Sequence, residues 1–258
     1  MSASLSVSPE SVVARLRSAG CVFAEAEARL LIAEAASPAD LAVLVDRRVA
    51  GLPLEHVLGW AEFGGLRIAV DARVFVPRRR TEFLVEQAVA LTPPGAVVLD
   101  LCCGSGAVGA ALLAARPGTE LHAVDIDPVA VRCARRNVPT ARVYEGDLYR
   151  PLPDTLRGRV DVVVASAPYV PTDAVALMPP EARLYEPLVA LDGGVDGLDV
   201  VRKVAVGAPE WLAPGGHLLV ETSERQALTI LDTITGAGLL ARVTSSDEMG
   251  ATVVVASR

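Results

Sequence analysis

The sequence has few cysteines and histidines, and their placement excludes several kinds of site. Neither residue type shows the spacing of a zinc site, and the cysteines include no C-x-x-C pair. We therefore expect neither a disulfide framework nor a metal centre, and we expect a reducing, cytoplasmic location. The residues concerned are Cys21, Cys102, Cys103, Cys133, His56, His122 and His217.

Long hydrophobic runs and an excess of positive charge are also missing. No stretch approaches the roughly 18 uninterrupted apolar residues of a membrane helix, so we expect no membrane association. The 24 Lys and Arg against 31 Asp and Glu give a net charge of −7, which opposes the coating of nucleic acids. Because 52% of the 258 residues are hydrophobic and 21% are charged, the chain is expected to fold around a sizeable core.

The order of local patterns predicts three regions. Ser8-Pro9 and Ser37-Pro38 each place an N-cap residue before a proline suited to a first helical turn, so the first region is helical. Phe63–Val76 contains two glycines and then alternating apolar residues, as in a hairpin. We therefore expect a helical domain over residues 1–62, a hairpin linker over 63–76 and a larger domain over 77–258.

The larger domain is predicted to be α/β. From Gly95 onward, short apolar runs alternate with helical stretches, which indicates βα units and a mostly parallel sheet. The predicted strands are Val97–Leu101, Leu121–Val124, Val160–Ala165 and His217–Glu221. The loop over residues 171–197 is long for a compact domain, and such loops are often functional.

A glycine-rich loop follows the first of these strands. Gly104, Gly106 and Gly109 match the G-x-G-x-x-G pattern of a dinucleotide site, and Asp125 lies about 20 residues further on. Asp100, however, would repel a diphosphate and attract a cation, so the loop favours S-adenosylmethionine over a nicotinamide dinucleotide. A tight turn without a ligand is the remaining alternative. The candidate donor-binding residues here are Asp100, Cys102, Cys103, Gly104, Ser105 and Gly106.

Acidic residues also follow the next two strands. Asp127-Pro128 is predicted to cap a helix, which leaves Asp125 free to bind the ribose hydroxyls of the donor. Asp147 and Leu148 end a further short strand between Leu121–Val124 and Val160–Ala165, where Asp147 can accept from the adenine amino group and Leu148 can cover the ring. A simple turn is the alternative reading of Gly146-Asp147.

Strand Val160–Ala165 ends in Ser166-Ala167-Pro168-Tyr169, which we identify as the candidate catalytic segment, with Ser166 also a candidate donor-binding residue. In open α/β sheets the carboxyl ends of the strands form the ligand crevice. The Ser166 hydroxyl and the Ala167 carbonyl can accept hydrogen bonds from an amide nitrogen, and Tyr169 can stack on the planar group. Taken alone, the segment also fits a strand that ends at a proline beside a core tyrosine.

Together these segments resemble the HemK-like protein-(glutamine-N(5)) methyltransferases over nearly the whole chain. The resemblance implies a class I, Rossmann-like S-adenosylmethionine-dependent methyltransferase domain behind a small helical domain that docks a protein substrate. It also implies methylation of a glutamine side-chain amide, with peptide-chain release factors and their Gly-Gly-Gln loop as the known substrates. The motifs that carry it are Pro53–Gly59, Phe63–Leu66, Val76–Glu82, Asp100–Gly106, Gly146–Leu148, Ser166–Tyr169 and Tyr185–Leu198.

The chain departs from the family pattern in three places. Ser166-Ala167 replaces the first two residues of Asn-Pro-Pro-Tyr, and Cys102-Cys103 replaces Gly-Thr. Three arginines in Val76–Glu82 form the third departure; we interpret them as a solvated cluster at a helix start, and binding of an acidic partner is the alternative. Methyl transfer to a non-protein or nucleic-acid amine, and donor binding without catalysis, therefore remain alternatives. Because residues 1–75 contain none of the donor motifs, we expect them to serve substrate choice only.

Overall fold

The computed structural model describes residues 8–258; the first seven residues of the predicted helical domain lie outside this range. Serine side chains cap the first and third helices as predicted, since Ser8 accepts from Ser11 N–H and Ser37 accepts from Asp40 N–H. These helices surround an apolar core of their own, which includes Leu16, Leu31 and Leu44. The helices are α1 (Pro9–Ser18), α2 (Ala24–Glu34), α3 (Pro38–Val49) and α4 (Leu54–Leu58).

A two-stranded hairpin follows the helices. Strand β1 (Trp60–Phe63) pairs antiparallel with β2 (Leu66–Ala69), so the hairpin begins before residue 63, where the sequence places the start of the linker. Gly64 and Gly65 join the strands with φ angles of 57° and 71°, a turn that glycine forms without steric strain. Phe63 and Ile68 of the hairpin pack into the core of the larger domain, so the hairpin is part of that core. The division at 62, 63–76 and 77 stays a prediction.

The larger domain is α/β, as predicted. Within residues 8–258 its sheet has seven strands in the order β5-β4-β3-β6-β7-β9-β8. The pairs from β5 to β7 are parallel, and β9 is antiparallel to both β7 and β8. The strands are β3 (Val97–Leu101), β4 (Glu120–Asp125), β5 (Arg142–Glu145), β6 (Val160–Ala165), β7 (Leu212–Thr222), β8 (Leu240–Ser246) and β9 (Ala251–Ser257).

Helices cover both faces of this sheet. Strand β6 shows why the central strands read as continuous apolar runs: Val163 and Ala165 enter the core on one face, while Val162 and Val164 enter the core on the other. The helices are α5 (Glu82–Leu91), α6 (Ala107–Ala115), α7 (Pro128–Asn137), α8 (Pro180–Tyr185), α9 (Asp199–Trp211) and α10 (Ala227–Gly236). In the part of the chain that the structure describes, none of the helices has the length and apolar character needed to cross a membrane.

Candidate active site

The carboxyl ends of β3 to β6 open into a cavity of about 250 Å³, which we call the donor cavity. Four separate loops contribute to it, because parallel strands bring their carboxyl ends to one edge of the sheet. The structure thus gathers nearly all of the predicted donor-binding residues around one space. Those that line it are Asp100, Cys102, Cys103, Gly104, Ser105, Asp125, Asp147, Leu148 and Ser166.

Gly106 is the predicted donor residue that does not line the cavity. Its φ angle is 79°, and a Cβ on it would lie 3.2 Å from both the Cα and the Cβ of Ala134. Gly106 therefore forms the turn that brings α6 against α7. Gly109 has a similar role on α6, since a Cβ there would lie 2.7 Å from Leu121 of β4. These glycines permit close packing, while Gly104 has open space on its Cβ side and faces the cavity.

Asp100 is buried at the base of the donor cavity, with 1% of its surface exposed. Its Oδ2 accepts the Gly109 N–H at 3.1 Å. Burial raises the pKa of the Asp100 carboxyl to about 7, and the nearby negative charge of Asp125 adds to the increase. A cationic ligand group beside Asp100 would reverse this effect, because it stabilises the ionised carboxylate.

Asp125 does not cap α7 and is instead oriented by two backbone N–H groups. Its Oδ2 accepts the Gly104 N–H at 2.8 Å, and its Oδ1 accepts the Asp127 N–H at 2.9 Å. Asp127 caps α7 as predicted, accepting the Val129 N–H at 2.8 Å. Each Asp125 oxygen keeps a further lone pair. The two backbone bonds therefore orient the carboxylate and still allow it to accept ligand hydroxyls.

A second, smaller cavity of about 50 Å³ adjoins the first, and we call it the acceptor pocket. Ser166 and Pro168 line both spaces, while Ala167 and Tyr169 line the acceptor pocket alone. None of the described residues, 8–258, donates a hydrogen bond to the Ala167 carbonyl. The predicted catalytic segment therefore forms the boundary between two adjoining cavities.

Glu221 and Arg80 complete this boundary, and sequence reasoning assigned neither of them to the site. The Ser166 hydroxyl donates to Glu221 Oε2 at 2.9 Å, and Arg80 Nε lies 3.5 Å from Glu221 Oε1. Arg80 also donates to the Tyr169 hydroxyl at 2.6 Å. Burial, together with the negative charge of Glu221, raises the pKa of Tyr169. The signal for Glu221 was present: like Asp100, it is an acidic residue at the carboxyl end of a buried strand.

Two further predictions are corrected by the walls of the site. Phe63 of the hairpin and Phe75, which follows the hairpin, line the donor cavity, so residues 1–75 do contribute to it. Two of the three arginines, Arg78 and Arg80, are paired with buried carboxylates rather than only solvated. Arg78 Nη2 donates to both oxygens of Glu186, at 2.7 and 2.6 Å, and the Val76 N–H donates to the same carboxylate. This contact joins the segment before α5 to the predicted loop over residues 171–197, which is not irregular throughout, because it contains α8 and two short 3-10 turns.

Comparison with known proteins agrees with this geometry. A family model described as "Methyltransferase small domain" matches residues 78–178. The release factor glutamine methyltransferase of Geobacter sulfurreducens is 41% identical over 229 residues, covering 86% of this chain and 80% of the relative. That of Cereibacter sphaeroides is 35% identical over 251 residues, covering 88% of each chain. The chain belongs to the release factor glutamine methyltransferase family.

A solved structure supports the same fold for this family member. A methyltransferase from Pyrococcus furiosus superposes with a TM-score of 0.57 at 17% identity, covering 75% of this chain and 89% of the other. At that identity the likeness concerns the fold alone. It is the arrangement expected of a Rossmann-like methyltransferase: a mostly parallel sheet with helices on both faces and a ligand cavity at the carboxyl ends of its strands.

The donor cavity fits S-adenosylmethionine, the methyl donor of this enzyme family. That molecule combines a positively charged ammonium and sulfonium with ribose hydroxyls and an adenine ring. The cavity offers carboxylates at Asp100, Asp125 and Asp147, with apolar cover from Leu148. Among the described residues, Asp127 is a fourth carboxylate in the lining, against one cation, Lys203, and this excess of negative charge would repel a diphosphate and attract a cation.

Proposed function

We propose that this protein transfers a methyl group from S-adenosylmethionine to the side-chain amide nitrogen of a glutamine in a protein substrate. Peptide-chain release factors are the first candidates, since they are named in the relatives, and the cytoplasm is the proposed location. The observation that carries the proposal is the position of Ser166 and Ala167 between the donor cavity and the acceptor pocket. Two hydrogen-bond acceptors there match the two N–H groups of a primary amide.

On the donor side, Asp100 would pair with the ammonium group and Asp125 would accept from the ribose hydroxyls. Asp147 and Leu148 would contact the adenine, and the loop from Cys102 to Ser105 would lie against the ligand. Bound there, the donor supplies a methyl carbon made electrophilic by the sulfonium. The protein contributes the charges and the shape that hold this group at the boundary with the acceptor pocket.

On the acceptor side, the amide nitrogen needs orientation more than activation. Its lone pair is delocalised into the carbonyl, so the site must direct the nitrogen towards the methyl carbon and exclude water. Ser166 Oγ and the Ala167 carbonyl would each accept one N–H, and the Tyr169 ring would stack on the amide plane. Transfer would form one N–C bond and break the bond between the methyl carbon and the sulfonium sulfur, which leaves with the electron pair as the neutral thioether of S-adenosylhomocysteine, while the amide nitrogen loses one proton.

The direct test is methylation of a purified release factor, or a peptide containing Gly-Gly-Gln, with methyl-labelled S-adenosylmethionine. We expect one methyl group on the glutamine, located by fragmentation in a mass spectrometer, and none on a matched peptide with alanine at that position. Donor binding without transfer would support a donor-binding module instead. Labelling of a nucleic-acid or small-molecule amine in place of the peptide would support the other alternative.

We also propose that residues 1–62 dock the protein substrate, with 63–76 as the linker and 77–258 as the methyltransferase domain. The helical part exposes apolar side chains, with Val22 83% and Phe23 71% exposed. Phe23→Ser is expected to raise the KM for a whole release factor and leave the KM for a short Gly-Gly-Gln peptide unchanged. Leu240→Ser on β8, a residue 80% exposed, is the matched control. Equal KM values for Phe23→Ser and wild type would contradict the docking role.

A further inference from the structure

Glu221 is a buried carboxylate beside the acceptor pocket, and no role in methyl transfer has yet been assigned to it. Its side chain is 3% exposed. The parallel register pairs Ala165 of β6 with Val220 of β7, so the next residue of each strand, Ser166 and Glu221, lie side by side. On its other side Glu221 pairs with Val253 of β9, an apolar residue. Its polar partners are therefore Ser166 and Arg80.

The hydrogen bond to Glu221 determines what Ser166 offers to a substrate. A serine hydroxyl has one proton and two lone pairs, and an ionised carboxylate can only accept. Ser166 donates its proton to Glu221 Oε2, so the hydroxyl presents only lone pairs to the acceptor pocket. The other oxygen, Oε1, faces the permanently charged guanidinium of Arg80 at 3.5 Å. Both oxygens of the carboxylate therefore face donors.

We propose that Glu221 is a positioning residue that holds the Ser166 hydroxyl as a hydrogen-bond acceptor and so restricts the acceptor pocket to groups that donate a hydrogen bond. This inference rests on the proposed function and gives its specificity a cause. A glutamine amide can donate to Ser166 from the nitrogen that receives the methyl group. A glutamate side chain of the same shape offers only acceptor oxygens, which would face the Ser166 lone pairs unpaired.

The variant Glu221→Gln tests this arrangement with little change in shape. Arg80 still requires an acceptor, so the new amide is expected to direct its oxygen to Arg80 and its NH₂ to Ser166. Ser166 would then accept from residue 221 and direct its own proton into the pocket, which reverses its role. We expect kcat for a Gly-Gly-Gln peptide to fall about 10- to 100-fold with the Kd for S-adenosylmethionine unchanged. Glu224→Gln, the same charge change at an exposed position three residues away, should match wild type.

A double-mutant cycle separates this role from a merely structural one. If Glu221 acts through Ser166, the double variant Ser166→Ala, Glu221→Gln should be no slower than Ser166→Ala alone. Multiplied losses, or a Glu221→Gln enzyme with the wild-type kcat, would overturn the positioning role while leaving the proposed function intact. If the wild-type protein fails to methylate the peptide in the same assay, the proposed function fails and this inference with it.

Discussion

The donor and acceptor halves of the cleft are built from contacts of different range along the chain. In the donor half, Asp100 accepts a backbone N–H from 9 positions away, and Asp125 accepts two, from 21 and 2 positions away. In the acceptor half, side chains meet across 55 positions for Ser166 and Glu221, and across 89 for Arg80 and Tyr169. Arg78 and Glu186, in the wall of the cleft, are 108 positions apart. The donor half therefore follows from local loop structure, whereas the acceptor half depends on correct assembly of the whole domain.

The two halves also differ in how their buried charge is compensated. Asp100 faces a cavity and receives one backbone N–H, so its charge is left for a cationic ligand to compensate. Glu186 and Glu221 face arginines of the segment before α5 and are compensated within the protein. We therefore expect substitutions in the donor half to alter ligand affinity, and substitutions in the wall of the acceptor half to alter stability as well.

The largest expected effect is on stability, from Arg78→Met. The change leaves the buried Glu186 carboxylate without its guanidinium partner, since the Glu186 side chain is only 1% exposed. Breaking such a pair should lower the free energy of unfolding by about 3 kcal/mol. Arg15→Met, which removes an exposed pair with Asp46, should cost less than about 1 kcal/mol. Equal losses in urea unfolding would show that the Arg78 contact does not hold the acceptor wall.

The next effect concerns the donor half alone. Asp125→Ala removes the carboxylate proposed to accept the ribose hydroxyls, and a hydrogen bond to a charged group contributes about 1.5–3 kcal/mol. Calorimetric titration should therefore show a Kd for S-adenosylmethionine roughly 10- to 100-fold higher, with no gain in binding of NAD. Asp232→Ala, at an exposed position on α10, should bind the donor like wild type. An unchanged Kd for Asp125→Ala would remove this residue from the donor site.

An effect of similar or smaller size is expected from Ser166→Ala. It should reduce turnover in the acceptor half and leave donor binding nearly unchanged. Loss of the hydroxyl that orients the amide nitrogen should lower kcat about 10- to 100-fold, equivalent to roughly 1.4–2.7 kcal/mol. The donor Kd should change far less. Ser166→Asn restores the family residue and is expected to raise activity on a Gly-Gly-Gln peptide. Normal turnover by the alanine variant, with no gain from asparagine, would disprove the amide-holding role.

The smallest effect is a pH dependence that belongs to the donor half. In the donor-free protein the pKa of Asp100 is about 7, whereas a bound cation favours the ionised carboxylate and lowers that pKa. Donor affinity should therefore rise with pH, by roughly tenfold between about pH 6 and pH 8, and level off above the raised pKa. Asp100→Asn should bind more weakly and lose this dependence. An affinity of the wild type that is constant over this range would show that Asp100 does not pair with the donor.

The same carboxyl gives an opposite trend for the stability of the donor-free protein. Because its pKa is raised from 3.8 to about 7 on folding, the native state holds a proton that the unfolded chain has already lost between these values. The stability contribution of Asp100 is therefore greatest at the acid end and falls as pH rises towards 7. Asp100→Asn should flatten this part of the stability profile, measured by urea unfolding without donor.

The sequence by itself determined the features that depend on local physical chemistry. Apolar runs buried on both faces gave strands Val97–Leu101 and Val160–Ala165 with the bounds seen in the structure. Serine and aspartate caps gave the helix starts, because their side chains bond to N–H groups two or three residues away. Glycines and acidic residues after consecutive strands gave the donor cavity, since parallel strands bring these loops to one edge.

Only the tertiary structure decided which distant residues complete the site. Glu221 meets Ser166 because β7 lies beside β6 in a register that no local pattern specifies. Phe63 reaches the donor cavity because the hairpin packs into the core of the α/β domain, and Arg80 reaches Glu221 across the sheet edge. Hydrophobic periodicity and torsional preference act over a few residues. The pairing of strands and the burial of one charge against another depend on the chain's whole path. The contacts of Glu221 and Arg80 with the predicted Ser166–Tyr169 segment therefore became visible only in the folded molecule.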